Sequence, residues 1–511
     1  MNATSRVAVE PVVVEPEDEF NQKLIENVHP PDWVNPKPSG RYNLVVIGAG
    51  TAGLVSAAGA ALLGARVALI ERHRMGGDCL NYGCVPSKVL IRAARAAYAI
   101  DEAREFGIEA RIEEINFADT MRRLRRVRAD ISPHDSARRF QGLGADIYLG
   151  DARFLTGNSL SVAGERLEFR KAIIATGARA AIPPVPGLKE LGALTNETVF
   201  SLTELPKRLI VIGGGPIGCE LAQSFARLGS QVSIVERAPR LLPRDDADAA
   251  TILQSQLERE GVATFLGVEI QRAEAGHEGK TIVFNRGRGE ERVSADQILV
   301  AAGRTPNLEG LNLEAAGVKF QPAGVIVDDY LRTSNADIYS AGDISSRFQF
   351  THAAEALGRI ALQNALFFGR KRASDLVIPW CTYTDPEIAH VGWSTEDAGK
   401  RQMEIKTFTL SFADNDRAVV DGDIGGFARV HANKKDGVIV GATLVSRHAG
   451  ESIGELVMAI QRKLKIGDLG GIIHPYPTQA EIIKRLGDSS MRSRLKPWMK
   501  KALVKFFRWS R

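Results

Sequence analysis

Residues 44–71 read LVVIGAGTAGLVSAAGAALLGARVALIE, and residues 209–236 read LIVIGGGPIGCELAQSFARLGSQVSIVE. Each begins with a β-branched apolar run and turns through G-x-G-x-x-G into an Ala-rich helical stretch. Each then reaches a second Val/Ile run that ends on an acid, Glu71 or Glu236, 23 residues after the first glycine. Strand, loop, helix, strand is the order of a dinucleotide-binding unit. Gly48 and Gly213 permit the tight turn, Gly50 and Gly215 let the backbone approach a pyrophosphate, and Gly53 and Gly218 let helix pack on strand. The phosphate meets the unpaired N–H groups and positive end of the helix, and the terminal acid is placed to accept from ribose hydroxyls. One such fingerprint is weak, because glycines also mark ordinary turns. Two with strand, helix and acid at equal spacing are strong. They suggest electrons passing between two cofactors on one chain.

At 511 residues the chain exceeds a single core, and roughly three or four domains are expected. The composition, 44% apolar and 25% charged, is that of a globular protein. No uninterrupted apolar run reaches spanning length, and the N-terminus lacks the pattern of a signal peptide. Four cysteines do not make a disulfide framework, so a reducing, cytoplasmic setting is expected. The net charge of +5 belongs to the tail: after Asp488 come eight basic residues and no acid, and without them 58 basic residues face 61 acidic ones. The body therefore gives no ground for nucleic-acid binding. Residues 1–40, rich in Pro and partly acidic, read as an extended or disordered arm with a short helix over 20–27. The five arginines of MRRLRRVRAD (121–130) read as a solvated helix face.

Cys79 and Cys84 lie in GGDCLNYGCVPSK (76–88). A metal clip would need further ligands that no nearby cluster supplies, and a staple over so short a loop would stabilise little. Two buried bystanders, as expected for Cys219 and Cys381, remain an alternative to a reactive pair. Five residues of regular helix rise about 7.5 Å, beyond the usual reach of a disulfide. A bond here would need a distorted turn, which Asn81 and Gly83 can supply. A helix beginning near Pro86 would put Cys84 at its N-terminus, where a thiolate is favoured, with Lys88 one turn on.

GGDCLNYGCVPSK, the two fingerprints, Ala175-Thr176-Gly177, Gly303-Arg304-Thr305-Pro306-Asn307 and Ala341-Gly342-Asp343 occur in an order that resembles the flavin-dependent pyridine nucleotide–disulfide oxidoreductases, from about residue 41 to about 490. The resemblance implies an α/β fold of two Rossmann-like domains plus a C-terminal α+β dimerisation domain. It implies FAD on Gly48, Gly50, Gly53, Glu71, Lys88, Ala152, Thr176, Gly177 and Asp343. It implies NAD(P)H on Gly213, Gly215, Gly218, Glu220, Glu236, Arg237 and Gly303. NAD is favoured, because Glu236 would repel a 2′-phosphate, although Arg237 and Arg240 could hold one. Further implications are a redox-active Cys79–Cys84 disulfide, with Cys84 facing the flavin and Cys79 the substrate, Lys88 beside the flavin and Glu220 as its partner.

The expected domains are an arm (1–40), a discontinuous FAD domain (41–195 and 308–371), an NAD(P) domain (196–307), an interface domain (372–490) and a basic tail (491–511). A homodimer is implied, since in this family residues 474–481 complete the other subunit's active site. There the pattern breaks. The family's His-x-His-Pro-Thr-x-x-Glu becomes HPYPTQAE, which keeps His474 and Glu481 but puts Tyr476 at the acid–base position. An ordinary tyrosine titrates near 10 and is a poor base for thiol exchange. A tyrosine there resembles mercuric reductase, whose C-terminal cysteine pair is missing. The acceptor is therefore expected to be Hg(II) or, alternatively, a small disulfide as in dihydrolipoamide dehydrogenase. A reading of another class is a membrane-surface flavoprotein with vestigial thiol chemistry. Residues 495–509 form an amphipathic basic stretch suited to a peripheral membrane contact or to packing against protein.

Overall fold

A computed structural model describes residues 12–277, 279–287, 289–367 and 369–511. By contact density the chain divides into two units. One comprises residues up to Arg237 together with Phe265–Leu376, and the other Ala238–Thr264 together with Val377–Arg511.

In the first unit the strands Tyr42–Ile47, Val67–Glu71 and Ala145–Leu149 run parallel, with Tyr42–Ile47 also parallel to Glu165–Ile174. Ile338–Ser340 joins parallel on the far side of Glu165–Ile174. The apolar runs of these strands are buried along their length because the sheet is covered on both faces: Leu44, Val46 and Leu69 enter one core, and Val45, Ala68 and Ile70 the other. The second fingerprint repeats the plan, with Arg208–Ile212 parallel to both Gln231–Glu236 and Gln297–Val300. An antiparallel meander, Glu269–Gly276, Gly279–Asn285 and Glu290–Ala295, stands beside it. The chain crosses between the two halves on an antiparallel strand pair, Ala178–Ala180 with Arg304–Pro306.

In the arm the short helix expected over 20–27 forms over Glu19–Val28; residues 1–11 lie outside the described residues. Glu19–Val28 is an α-helix whose N-cap, Asp18, accepts from the N–H groups of Phe20 and Asn21. It lies on the arginine-rich helix Phe117–Ile131, where Arg122 meets Glu19 at 2.6 Å, Arg125 meets Asp18, and Arg128 donates to Asn21 Oδ1 at 2.7 Å. Arg125 and Arg128 are buried. The arginine face read as solvated is in part the seat of the chain's own N-terminal helix, and the reason is the apolar stripe of Leu24 and Val28, which carries that helix into the core.

The second unit is built on an antiparallel sheet in the order Pro379–Thr382, Glu387–Gly392, Ile439–Ser446, Phe427–Asn433, Ile405–Ser411. Period-two alternation sends Ala389, Val391, Val430, Ala442 and Leu444 to a core with the helices Ala449–Gln461 and Glu481–Ser493. The opposite face carries a polar cross-strand row, Trp380, His390, Thr443, Arg429 and Thr409 in register. Asp245 accepts from the Trp380 indole at 2.8 Å, while Asp246 accepts from Thr443 and Arg429, each at 2.9 Å. Asp246 is also the N-cap residue of the helix Ala247–Arg259.

Candidate active site

Both fingerprints are formed as their glycines require. A Cβ at Gly53 would lie 1.8 Å from the Gly48 carbonyl oxygen, and one at Gly218 1.9 Å from that of Gly213. Gly50 and Gly215 cap the helices Thr51–Leu62 and Pro216–Arg227 with no side-chain acceptor over the first turn. The leading N–H groups are thus the donor set that a pyrophosphate takes. Glu71 accepts from Ala49 N–H at 2.8 Å and Glu236 from Gly214 N–H at 2.5 Å, so each acid stands at the rim of its loop. Two dinucleotides fit these loops.

The crossover joins Thr176, Gly177 and Gly303. Thr176 donates to the Asn307 carbonyl and Asn307 returns a bond to that of Thr176, each 2.9 Å. Gly177 and Gly303 have φ of +66° and +119°, which favours glycine at both turns. Ala152 sits in a strand facing Val162. Asp343 is enclosed, and burial pushes its carboxyl up to about 6 while Arg304, 3.6 Å away, pulls the other way. Beside Glu236, Arg237 is exposed. Arg240 spends its guanidinium on the carbonyls of Leu242, Pro243 and Asp245.

The cysteine loop breaks one helical path into two. A short helix, Gly77–Asn81, ends at Tyr82, and a long one, Cys84–Glu102, starts two residues earlier than expected, at Cys84 itself. Gly83 between them has φ −121° and ψ −107°, and a Cβ there would come within 2.8 Å of the Asp78 carboxylate. This break brings both thiols into hydrogen-bonding contact, and both are free. Cys84 is crowded by protein yet reachable from solvent. The hydrogen bond from Cys79 draws its pKa down to about 6, with help from the Thr351 hydroxyl at 3.1 Å and the charge of Lys88 and against the effect of burial. The same contact, with burial, pushes the Cys79 thiol up. The helix N-terminus, the Thr351 hydroxyl and the charge of Lys88 thus favour negative charge on Cys84.

Thr351 had no local signal in the sequence. It opens the helix Thr351–Leu366, 267 residues from Cys84 in the chain. Two helix N-termini thus meet at one sulfur, and both favour its negative charge. Lys88 Nζ lies 2.7 Å from Glu220 Oε2, with the glutamate buried, so the helix that follows Cys84 is tied to the helix behind the second fingerprint. Asp78, next to Cys79, accepts from Asn196 at 2.9 Å and lies 3.4 Å from Arg304.

In the C-terminal motif His474 and Tyr476 each have a carboxylate partner. The side chain of His474 is enclosed, with Nε2 at 2.9 Å from Glu455 and Nδ1 facing the Ile472 carbonyl. Tyr476 is 72% exposed and its hydroxyl donates to Asp416 at 2.8 Å. That bond and the nearby carboxylates of Asp416 and Glu481 raise the phenol above its ordinary pKa. Glu481 begins the helix Glu481–Ser493, and the partner of His474 is Glu455. Glu455 and Asp416 were not foreseen, since each reaches the motif only through the fold.

Comparisons with known proteins agree with this architecture. Residues 42–358 match the model described as pyridine nucleotide-disulphide oxidoreductase, and residues 378–486 match the dimerisation domain of the same family. A mercuric reductase of Staphylococcus aureus is 34% identical over 87% of this chain and 82% of its own. A dihydrolipoyl dehydrogenase of Bacillus subtilis is 34% identical over 86% and 96%. Among solved structures, the HOCl-induced flavoprotein disulfide reductase RclA of Escherichia coli, known also as a Cu(II) complex, superposes with a TM-score of 0.77 at 28% identity. It covers 88% of this chain and 99% of its own. Members of this family use FAD and NAD(P)H, and their dimerisation domain implies a homodimer. With both domains matched and fingerprints, cysteine loop and interface sheet in their order, the chain belongs to the pyridine nucleotide-disulphide oxidoreductases.

Proposed function

We propose that this chain reduces a thiophilic metal ion of the Hg(II) type with electrons from NAD(P)H, using Cys79 and Cys84. When bound, FAD carries the electrons from the nicotinamide to the cysteine pair. In the priming reaction, one NAD(P)H and the Cys79–Cys84 disulfide give NAD(P)+, a Cys79 thiol and a Cys84 thiolate, with atoms and charge balanced. Thr351, Lys88 and the Cys79 proton stabilise that thiolate. In turnover, NAD(P)H and Hg(II) give NAD(P)+, Hg(0) and one proton, while the two sulfurs grip the ion. Glu220 positions Lys88.

The observation that carries this reading is the lack of a free imidazole in the C-terminal motif. Opening a substrate disulfide releases a thiolate that needs a proton, and a histidine titrating near neutrality supplies it. Here His474 is engaged with Glu455, and Tyr476 is held as a donor to Asp416. Reduction of a bound metal ion needs no such shuttle. Two of the compared relatives, a named mercuric reductase and a reductase solved with Cu(II), fit that chemistry. The second reading, a small disulfide as acceptor, draws on the chain's four cysteines, none of which follows Cys381 to deliver a metal. NAD is the proposed nucleotide, because Glu236 faces the loop and Arg240 is committed elsewhere.

NADH and NADPH turnover with Hg(II), lipoamide, glutathione disulfide and a quinone compares the acceptors directly. Hg(II) is expected to exceed either disulfide by at least about tenfold in kcat/KM, and Tyr476→His to narrow that gap by raising the disulfide rates. Faster turnover of a disulfide than of Hg(II) by the parent enzyme sinks the metal reading and leaves the second.

A further inference from the structure

The helix Pro497–Trp509 follows the last matched domain residue, 486, and none of its residues is buried. At 100° per residue, Trp498, Met499, Ala502, Leu503, Phe506 and Trp509 share one half of the surface. Lys500, Lys501, Lys505 and Arg508 lie on or beside the other half. The apolar half is uncovered: Trp498, Phe506 and Trp509 are 65%, 54% and 84% exposed. Trp498 and Trp509 point almost the same way from opposite ends of the helix, about 16 Å apart along its axis.

From this arrangement we infer that the helix docks the enzyme on an anionic phospholipid surface, lying in the headgroup plane. Two indoles at the ends of an apolar arc are placed for the membrane interface, where an aromatic ring keeps one edge in water. The basic arc faces outward to phosphate headgroups, and no acid after Asp488 weakens the attraction. The homodimer implied by the dimerisation domain carries two of these helices. The second binding event would then be intramolecular, so that weak single contacts would hold the dimer firmly.

The test is co-sedimentation of the FAD-loaded full-length enzyme with vesicles of phosphatidylcholine alone or mixed equally with phosphatidylglycerol. Companion samples are a chain ending at Lys496 and the double variant Trp498→Glu/Phe506→Glu. The parent is expected to bind the anionic vesicles at least about tenfold better than the neutral ones, to be released by roughly 0.5 M salt, and to show a blue-shifted tryptophan emission on binding. Both altered chains should lose binding while keeping acceptor turnover in solution. Equal sedimentation of parent and truncated chain overturns the inference. So does a parent that ignores both vesicles, or a truncation whose only effect is on the mass of the particle by light scattering, which would assign the helix to a contact between copies. None of these outcomes depends on the identity of the electron acceptor.

Discussion

The groups that stabilise charge on Cys84 come from both near and far along the chain. The pair, the broken turn and the nearby lysine all lie within thirteen consecutive residues, where spacing alone carries meaning. Thr351 does not, because a hydroxyl that reaches a sulfur from another helix leaves no local pattern. The causes that lower the Cys84 pKa rank as the Cys79 contact, then Thr351, then Lys88. The rate of iodoacetamide alkylation of the NADH-reduced enzyme should therefore rise with a midpoint near pH 6. Cys79→Ala should move that midpoint up most, Thr351→Val by about one unit, and Lys88→Met least. An unchanged midpoint in Thr351→Val would remove the hydroxyl from the account. The C-terminal motif shows the opposite limit. Tyr476 was legible as a missing base, but which carboxylates hold it and His474 was decided by Asp416 and Glu455, 60 and 19 residues away.

Elements were legible wherever their period was strong. Both fingerprint helices start where the glycines placed them, and the amphipathic stretch over 495–509 forms the helix Pro497–Trp509. The N-terminal arm was read as extended or disordered with a short helix over 20–27, and a ten-residue helix is not stable in water alone. What sustains it is tertiary: Leu24 and Val28 in the core, and three arginines whose partners it supplies. Those arginines looked solvated for the same reason, since a sequence does not show which later or earlier segment neutralises a charge. Arg128 also donates to the Asn81 carbonyl inside the cysteine loop, at 2.9 Å. Removing residues 1–28 strips Asp18 and Asn21 from two buried guanidinium groups. The loss should cost about 3–5 kcal/mol, read as a fall in the denaturation midpoint. A midpoint within experimental error of the parent's would show that the helix merely rests on its seat.

For the molecule as a whole, two buried groups set opposing slopes on acid stability. Burial pushes Asp245 up to about 6 against an ordinary 3.8, with the Trp380 indole resisting, so the fold favours its neutral form. Its contribution is complete below about pH 4 and is lost as pH rises through 6. Burial holds His431 down to about 4 against 6.5, so its contribution is present at neutral pH and is lost on acidification across the same window. Asp245→Asn keeps an acceptor for Trp380 and should add up to about 3 kcal/mol at about pH 7.5 and nothing at about pH 4; urea midpoints at the two pH values measure it, and an equal gain at both would refute the titration. The carboxylates that meet the polar row of the interface sheet have a further consequence. Asp246 pairs with Arg429 and Thr443 across 183 and 197 residues of chain. On a ribosome adding about 5–20 residues per second, Asp246 emerges roughly 10–40 s before either partner. The helix it opens therefore cannot complete its side-chain contacts until the last strands of the sheet have been made.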